Sequence, residues 1–247
     1  AAPVHLVPHT HWDREWYLPF QRFRLKLVRL VDALLDAMEA DERYRFTLDG
    51  QLATLDDYLE VRPEAAERVR RLVEEGRLAI GPWQVLMDEF LVSGETIARN
   101  LEYGQRRAAE FGGAMPVGYL PDMFGHVAQM PQILRQAGID TAVVWRGVPA
   151  AIDSHSFEWE SPDGSYVRAE YLPYGYGNGA YLLEVPGQLG RALDAVRESH
   201  REFFGDEPVL AMLGTDHMEP LPQLSTLLEE SGAAAQVSTL PDYLATV

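Results

Sequence analysis

The chain has 247 residues, no cysteine and a formal net charge of −17. That length suits one large α/β domain, or two small ones, with a full core. The charge argues against nucleic acid, whose phosphates need Lys and Arg, and against an anionic membrane surface, and the missing thiols leave only His and carboxylates as metal ligands.

No stretch approaches the roughly 20 apolar residues that span a bilayer. The chain enters its first strand directly after Ala1-Ala2-Pro3, with no leader pattern. These features, with a cysteine-free composition that suits a reducing compartment, make a cytoplasmic location the expectation. Arg supplies every basic side chain except Lys26. Nothing in the pattern sets an oligomeric state.

From the N-terminus, the apolar run 4–7 reads as a first strand. A helix is expected over about 20–38, where Leu27, Val31, Leu34 and Met38 share one face at 3/4 spacing. Residues 45–48 form a second strand, followed by helical stretches at 52–58 and 63–75, with Pro63 suited to a first turn. A third strand at 78–80 precedes a helix near 95–110, which Ser93 is placed to cap. Strands at 118–120 and 141–145 flank a helix at 131–136. Residues 157–167 break the rhythm and read as a hairpin around Pro162-Asp163-Gly164, beside a strand at 166–171. A helix at 189–203, a strand at 209–213 and a helix at 222–230 complete the series. Alternating β and α units with short connections argue for a parallel sheet or a β/α barrel, and the seven strands fit either.

Each strand ends in polar, aromatic or glycine residues, which suggests one shared cleft at the strand C-termini. The first strand is followed by His9-Thr10-His11-Trp12-Asp13. Strand alternation puts His11 and Asp13 on the same side, a half-site for a divalent metal such as zinc. The other strand ends carry Asp49-Gly50-Gln51, Trp83 with Asp88-Glu89, Asp122 to His126, Trp145-Arg146, Tyr174 to Gly179, and Asp216-His217. Asp122 and Asp216 suit Asx turns or helix caps. Facing one cleft, they equally suit glycoside chemistry, with one carboxylate at the sugar carbon and the other protonating the leaving oxygen.

Among the histidines, His5 reads as a core or interface residue, and His155 and His200 as surface residues. His126 is placed to orient Asp122, and His217 to contact substrate or tune Asp216. His9-x-His11 is also the opening expected of a metal-dependent amidohydrolase barrel. That alternative lacks the further strand-end histidines it needs. Trp12, Trp16, Trp83 and Trp145 fall near strand ends, where aromatic faces stack on sugars, although large side chains also simply pack at barrel mouths.

Three segments together resemble glycoside hydrolase family 38: His9-Thr10-His11-Trp12-Asp13-Arg14-Glu15-Trp16, Gly81-Pro82-Trp83 with Asp88-Glu89, and Tyr119-Leu120-Pro121-Asp122-Met123-Phe124-Gly125-His126. That family comprises zinc-dependent retaining α-mannosidases and includes bacterial mannosylglycerate hydrolases. The resemblance runs in order over residues 1–247 and implies a seven-stranded parallel β/α barrel, the N-terminal catalytic domain. It implies one Zn2+ held by His11, Asp13 and Asp122, with Asp122 also the nucleophile and Asp216 the acid/base. Trp16, Arg146, Trp83 and His217 are then the candidate substrate contacts, and a mannoside or oligosaccharide is the expected substrate. Family members complete the zinc site with a histidine from beyond the barrel and carry large C-terminal β domains. The stop at Val247 therefore reads as the end of an excised barrel, with its fourth ligand missing. A barrel that binds sugar without turnover is the remaining alternative.

Overall fold

The computed structural model describes residues 3–183 and 187–247; Ala1 and Ala2 of the expected leaderless start lie outside them. The elements run β1 (Val4–Thr10), α1 (Phe20–Ala40), β2 (Phe46–Leu48), α2 (Leu52–Leu59), α3 (Ala66–Glu74) and β3 (Leu78–Ala79). There follow α4 (Gly94–Ala109), β4 (Gly118–Leu120), α5 (Met130–Gln136), β5 (Thr141–Val144), β6 (Ser156–Glu160) and β7 (Tyr166–Tyr171). The chain continues through α6 (Leu189–Phe204), β8 (Val209–Leu213), α7 (Leu224–Ser231), β9 (Ala235–Val237) and α8 (Leu240–Leu244). All seven expected strands are present, as is the hairpin, whose arms β6 and β7 pair antiparallel from Ser156↔Glu170 to Glu160↔Tyr166.

β1 lies at the centre of the first sheet. It pairs in parallel with β8 along Val4 to Pro8, with β9 at its N-terminal half, and with β2 at His9 and Thr10. All seven β1 residues are buried, as expected of a parallel strand covered on both faces. α1 packs against this sheet through Phe23, Leu27, Val31, Leu34 and Met38. Each such side chain contributes about 1.5–3 kcal/mol on burial.

The second sheet has the order β4-β5-β7-β6 and its own core of Leu120, Met130, Leu134, Ala142, Val144 and Ala169. The expected closed seven-stranded barrel is not what the hydrogen bonds draw. Among the described residues there are two sheets, with no strand ladder joining β3 to β4 or β7 to β8. Side chains span both seams instead. The Trp83 indole N–H donates to the Tyr119 carbonyl at 3.0 Å. At the other seam Asn178 takes the place of a strand residue, accepting from Met212 N (2.7 Å) and donating to the Leu210 carbonyl (2.8 Å). β3 is only two residues long, and Pro82 beyond it has no N–H to extend a ladder.

Helix α4 comes close to the first of these seams because residue 104 is glycine. A methyl group there would lie 2.1 Å from the Pro82 carbonyl oxygen and 2.5 Å from Gln84 N.

His155 and His200 are buried, against the surface placement their polar neighbours suggest. His155 stacks on Phe204 and its Nδ1 lies 2.9 Å from fully buried Glu170. His200 sits between the Val196 carbonyl and Asn178. Among the described residues no helix is long and apolar enough to cross a membrane.

Candidate active site

Parallel strands bring their C-terminal ends to one face, and the loops there assemble a cluster around His11. This imidazole is buried, and its Nδ1 stands 2.9 Å from Asp49 Oδ1. Asp49 has no exposed surface, and its other oxygen accepts from Trp12 N and from the Gln51 side-chain amide, each at 2.7 Å. A carboxylate that accepts this many bonds requires a proton on His11 Nδ1. In the neutral ring the lone pair is thereby fixed on Nε2.

His11 Nε2 is buried and has no hydrogen-bond partner. Two carboxylate oxygens flank it, Asp13 Oδ1 and Asp122 Oδ2, each at 3.6 Å. Burial opposes charge on this ring, yet Asp49 and Asp13 raise its pKa well above the ordinary histidine value. The His11 ring beside it in turn lowers the pKa of Asp13, against the effect of burial. The pocket between these three residues thus favours a positive charge. Among the described residues no three His, Asp or Glu groups are already drawn together as a metal cage. The orphaned Nε2 and its two flanking oxygens are nevertheless a donor set that suits zinc.

Asp122 follows β4 and is held by Arg146, whose Nη1 donates to Oδ1 at 2.6 Å. The Arg146 guanidinium lies over the rings of Trp145 (3.8 Å) and Phe124 (4.7 Å). The Tyr176 hydroxyl donates to Asp216 Oδ1 at 2.8 Å and stands 3.4 Å from Asp122 Oδ1. Burial, then the bond to Asp216, pushes this phenol's pKa far up, so it is a donor at every working pH. Asp216 itself is exposed to the cleft and bridges to His11 in parallel register.

Two non-glycine residues have positive φ among those described, Asp49 (45°) and His217 (54°), and both lie in this cluster. Such backbone is costly and persists where the surroundings over-determine it.

The structure thus brings together His11, Asp13, Asp122, Arg146 and Asp216. Trp16 has 74% of its surface exposed. Other expected placements are corrected. Trp83 has no exposed surface and spans a seam between the sheets, so it offers no face to a sugar. Trp12 is buried against Phe23 and His217. The His217 side chain is only 4% exposed and is enclosed by aromatic rings rather than open to the cleft. His126 does not orient Asp122; its Nδ1 pairs with buried Glu89 at 2.7 Å. His9 packs edge-on to Tyr176, its Nε2 bonded to the Tyr176 and Gly214 carbonyls and its buried Nδ1 without a partner. His9 borders a separate apolar cavity of about 250 Å³ lined by Pro8, Tyr44 and Phe46, which none of the cleft acids reaches.

Two site residues, Asp49 and Tyr176, are missed by sequence reasoning. Asp49 at a strand end beside Gly50 carried a signal, since buried acids at that position need partners. Tyr176 lay in a Tyr/Gly loop with nothing to single it out.

A parallel α/β scaffold with paired carboxylates at its strand ends is the form of a glycoside hydrolase. The sequence model of the "Glycosyl hydrolases family 38 N-terminal domain" matches residues 1–247, and the chain belongs to that family. A relative from Halalkalibacterium halodurans, named "Putative mannosylglycerate hydrolase", is 41% identical over 87% of this chain and 25% of its own length. Human alpha-mannosidase 2C1 is 30% identical over 82% of this chain and 20% of its own length. The crystal structure of an alpha-mannosidase from Enterococcus faecalis V583 superposes with a TM-score of 0.93 at 33% identity, covering 99% of this chain and 29% of that one. The chain therefore spans about a quarter of the length of these relatives.

Proposed function

We propose that the protein hydrolyses terminal α-mannosides with retention of configuration, using a zinc ion. The observation that carries this reading is the shared hydroxyl of Tyr176. A single hydroxyl within 3.4 Å of one oxygen of each acid supports the close spacing of a retaining pair over the roughly 6.5–9.5 Å of an inverting one.

In this reading Asp122, aimed by Arg146, attacks the anomeric carbon and forms a glycosyl ester as the bond to the aglycone oxygen breaks. Asp216 gives its proton to that oxygen, then takes a proton from the water that hydrolyses the ester. His11 Nε2, Asp13 and Asp122 would hold the zinc, and Asp49 would fix the His11 tautomer for it. When bound, zinc supplies Lewis-acid charge for the sugar hydroxyls. The amidohydrolase alternative lacks the further strand-end histidines it needs, since His126 and His155 are paired with Glu89 and Glu170 instead. The name of the Halalkalibacterium relative supports a mannosyl conjugate of glycerate as substrate. Arg146, paired with Asp122, would be the cation available to such a carboxylate.

The test is hydrolysis of an aryl α-mannoside by the full-length, zinc-loaded protein, followed by proton NMR of the first sugar released. α-Mannose appearing first is expected. β-Mannose first would overturn retention, and no release would overturn the hydrolase reading.

A further inference from the structure

His217 faces away from the sugar cleft, yet it touches both halves of the candidate site. Its Nε2 accepts from the backbone N–H of Asp13 at 3.2 Å, with the Asp13 carbonyl also at 3.3 Å. Its own N–H donates to the His11 carbonyl at 2.9 Å. Nδ1 lies 3.3 Å from the Tyr17 hydroxyl. The ring is boxed by Phe23 at 4.4 Å and by Trp12 at 4.7 Å, edge-on. The residue before it is Asp216, and its own backbone is held at φ 54°.

We propose that His217 is a positioning residue, a clasp that fixes the β1 loop carrying His11 and Asp13 against the β8 loop carrying Asp216. This rests on the mannosidase reading for what the two loops do, but the clasp itself is a statement about this chain. The logic is geometric. Asp13 lies beyond the end of β1, where no ladder bond fixes it. The His217 side chain supplies the missing acceptor for its N–H. The left-handed backbone at 217 turns the ring back over the β1 loop and leaves Asp216 facing the cleft. The strain at 217 is thus offset by three hydrogen bonds and an aromatic box. The separation of metal-binding and acid/base groups then depends on a side chain that touches no substrate.

The test uses the full-length protein and three readouts: hydrogen exchange of residues 12–17, zinc retention against a chelator, and kcat and KM on an aryl α-mannoside. His217→Phe keeps the aromatic packing and removes the acceptor. Expected are faster exchange at Asp13, zinc affinity lower by about 10–100-fold, and kcat lower by at least about tenfold with KM unchanged. His217→Gln, which can still accept from Asp13 N, restores most of each. Unchanged exchange and zinc retention in His217→Phe would overturn the clasp, as would a rise in KM alone, which would make His217 a substrate contact. Should His217→Phe not fold, Tyr17→Phe removes the exposed hydroxyl that braces Nδ1, and a smaller effect in the same direction is expected; none would overturn the proposal. If the unmodified protein cleaves no mannoside, the hydrolase reading falls, while exchange at Asp13 still decides the clasp.

Discussion

Asp49 and His11 form a buried pair in which the carboxylate fixes the imidazole from behind, 2.9 Å from Nδ1, and leaves Nε2 facing Asp13 and Asp122. Asp49→Asn keeps the size and removes the charge. Zinc affinity, measured by chelator competition, is expected to fall about 10–100-fold. Unchanged affinity would mean that His11 is not a ligand, or that its tautomer is set elsewhere.

Asp122 and Asp216 separate by their kinetics. Asp122→Ala is expected to abolish turnover of every mannoside. Asp216→Ala should slow substrates with poor leaving groups by about 10²–10⁴-fold and spare those whose leaving group needs no proton. Assays on an alkyl and a dinitrophenyl mannoside check this, and equal losses on both would remove the acid role from Asp216.

Tyr176 holds Asp216 through a single hydroxyl. Tyr176→Phe should therefore lower kcat on alkyl mannosides by about tenfold or more and leave KM close to that of the parent. A KM effect alone would assign the hydroxyl to substrate binding instead.

Stability should fall on acidification below about pH 6.5, the ordinary histidine value. Burial lowers the pKa of His200, and burial likewise lowers that of His5 despite Asp242. Both rings are therefore harder to protonate in the fold than in the unfolded chain. At these two sites the unfolded chain binds more protons below pH 6.5, so they favour unfolding as pH falls through that value and add no slope above it. Urea midpoints from pH 8 to 5 check the trend. His200→Gln should flatten the slope, and a steeper slope in that variant would contradict the assignment.

Asn178 stitches β8 to the loop after β7 with both ends of its amide. Asn178→Ala leaves the Met212 N–H and Leu210 carbonyl unpaired, at about 1–3 kcal/mol for each buried group. Denaturant unfolding measures this. A loss below about 0.5 kcal/mol would place the seam's strength elsewhere.

The strands were legible because each is a short, continuous apolar run with a polar ending, and the 3/4 spacing of α1 was equally plain. β9 escaped because Ala235-Gln236-Val237 is three residues long and not fully buried. α8 was missed although Thr239 and Asp242 form a capping box with Pro241 in the first turn. Within the site, the convergence of His11, Asp13, Asp122 and Asp216 could be read because they lie just beyond the ends of β1, β4 and β8. Asp49 and Tyr176 needed the third dimension, since their roles arise from partners 38 and 40 residues away. His155 and His200 misled for the same reason. Their neighbours in sequence are polar, and what buries them is Phe204 and the strands behind it.

Gly104 lies in the middle of α4, where alanine would make a better helix by about 1 kcal/mol. Its lack of a side chain lets the helix backbone touch the chain at Pro82–Gln84, just before the loop whose Glu89 anchors His126 and the N–H of Val127. One added carbon would wedge that contact open and shift the loop beside Asp122. A mutational scan would then record the damage as lost catalysis at a position with no chemistry of its own. Helix propensity alone would have recommended that same substitution as an improvement.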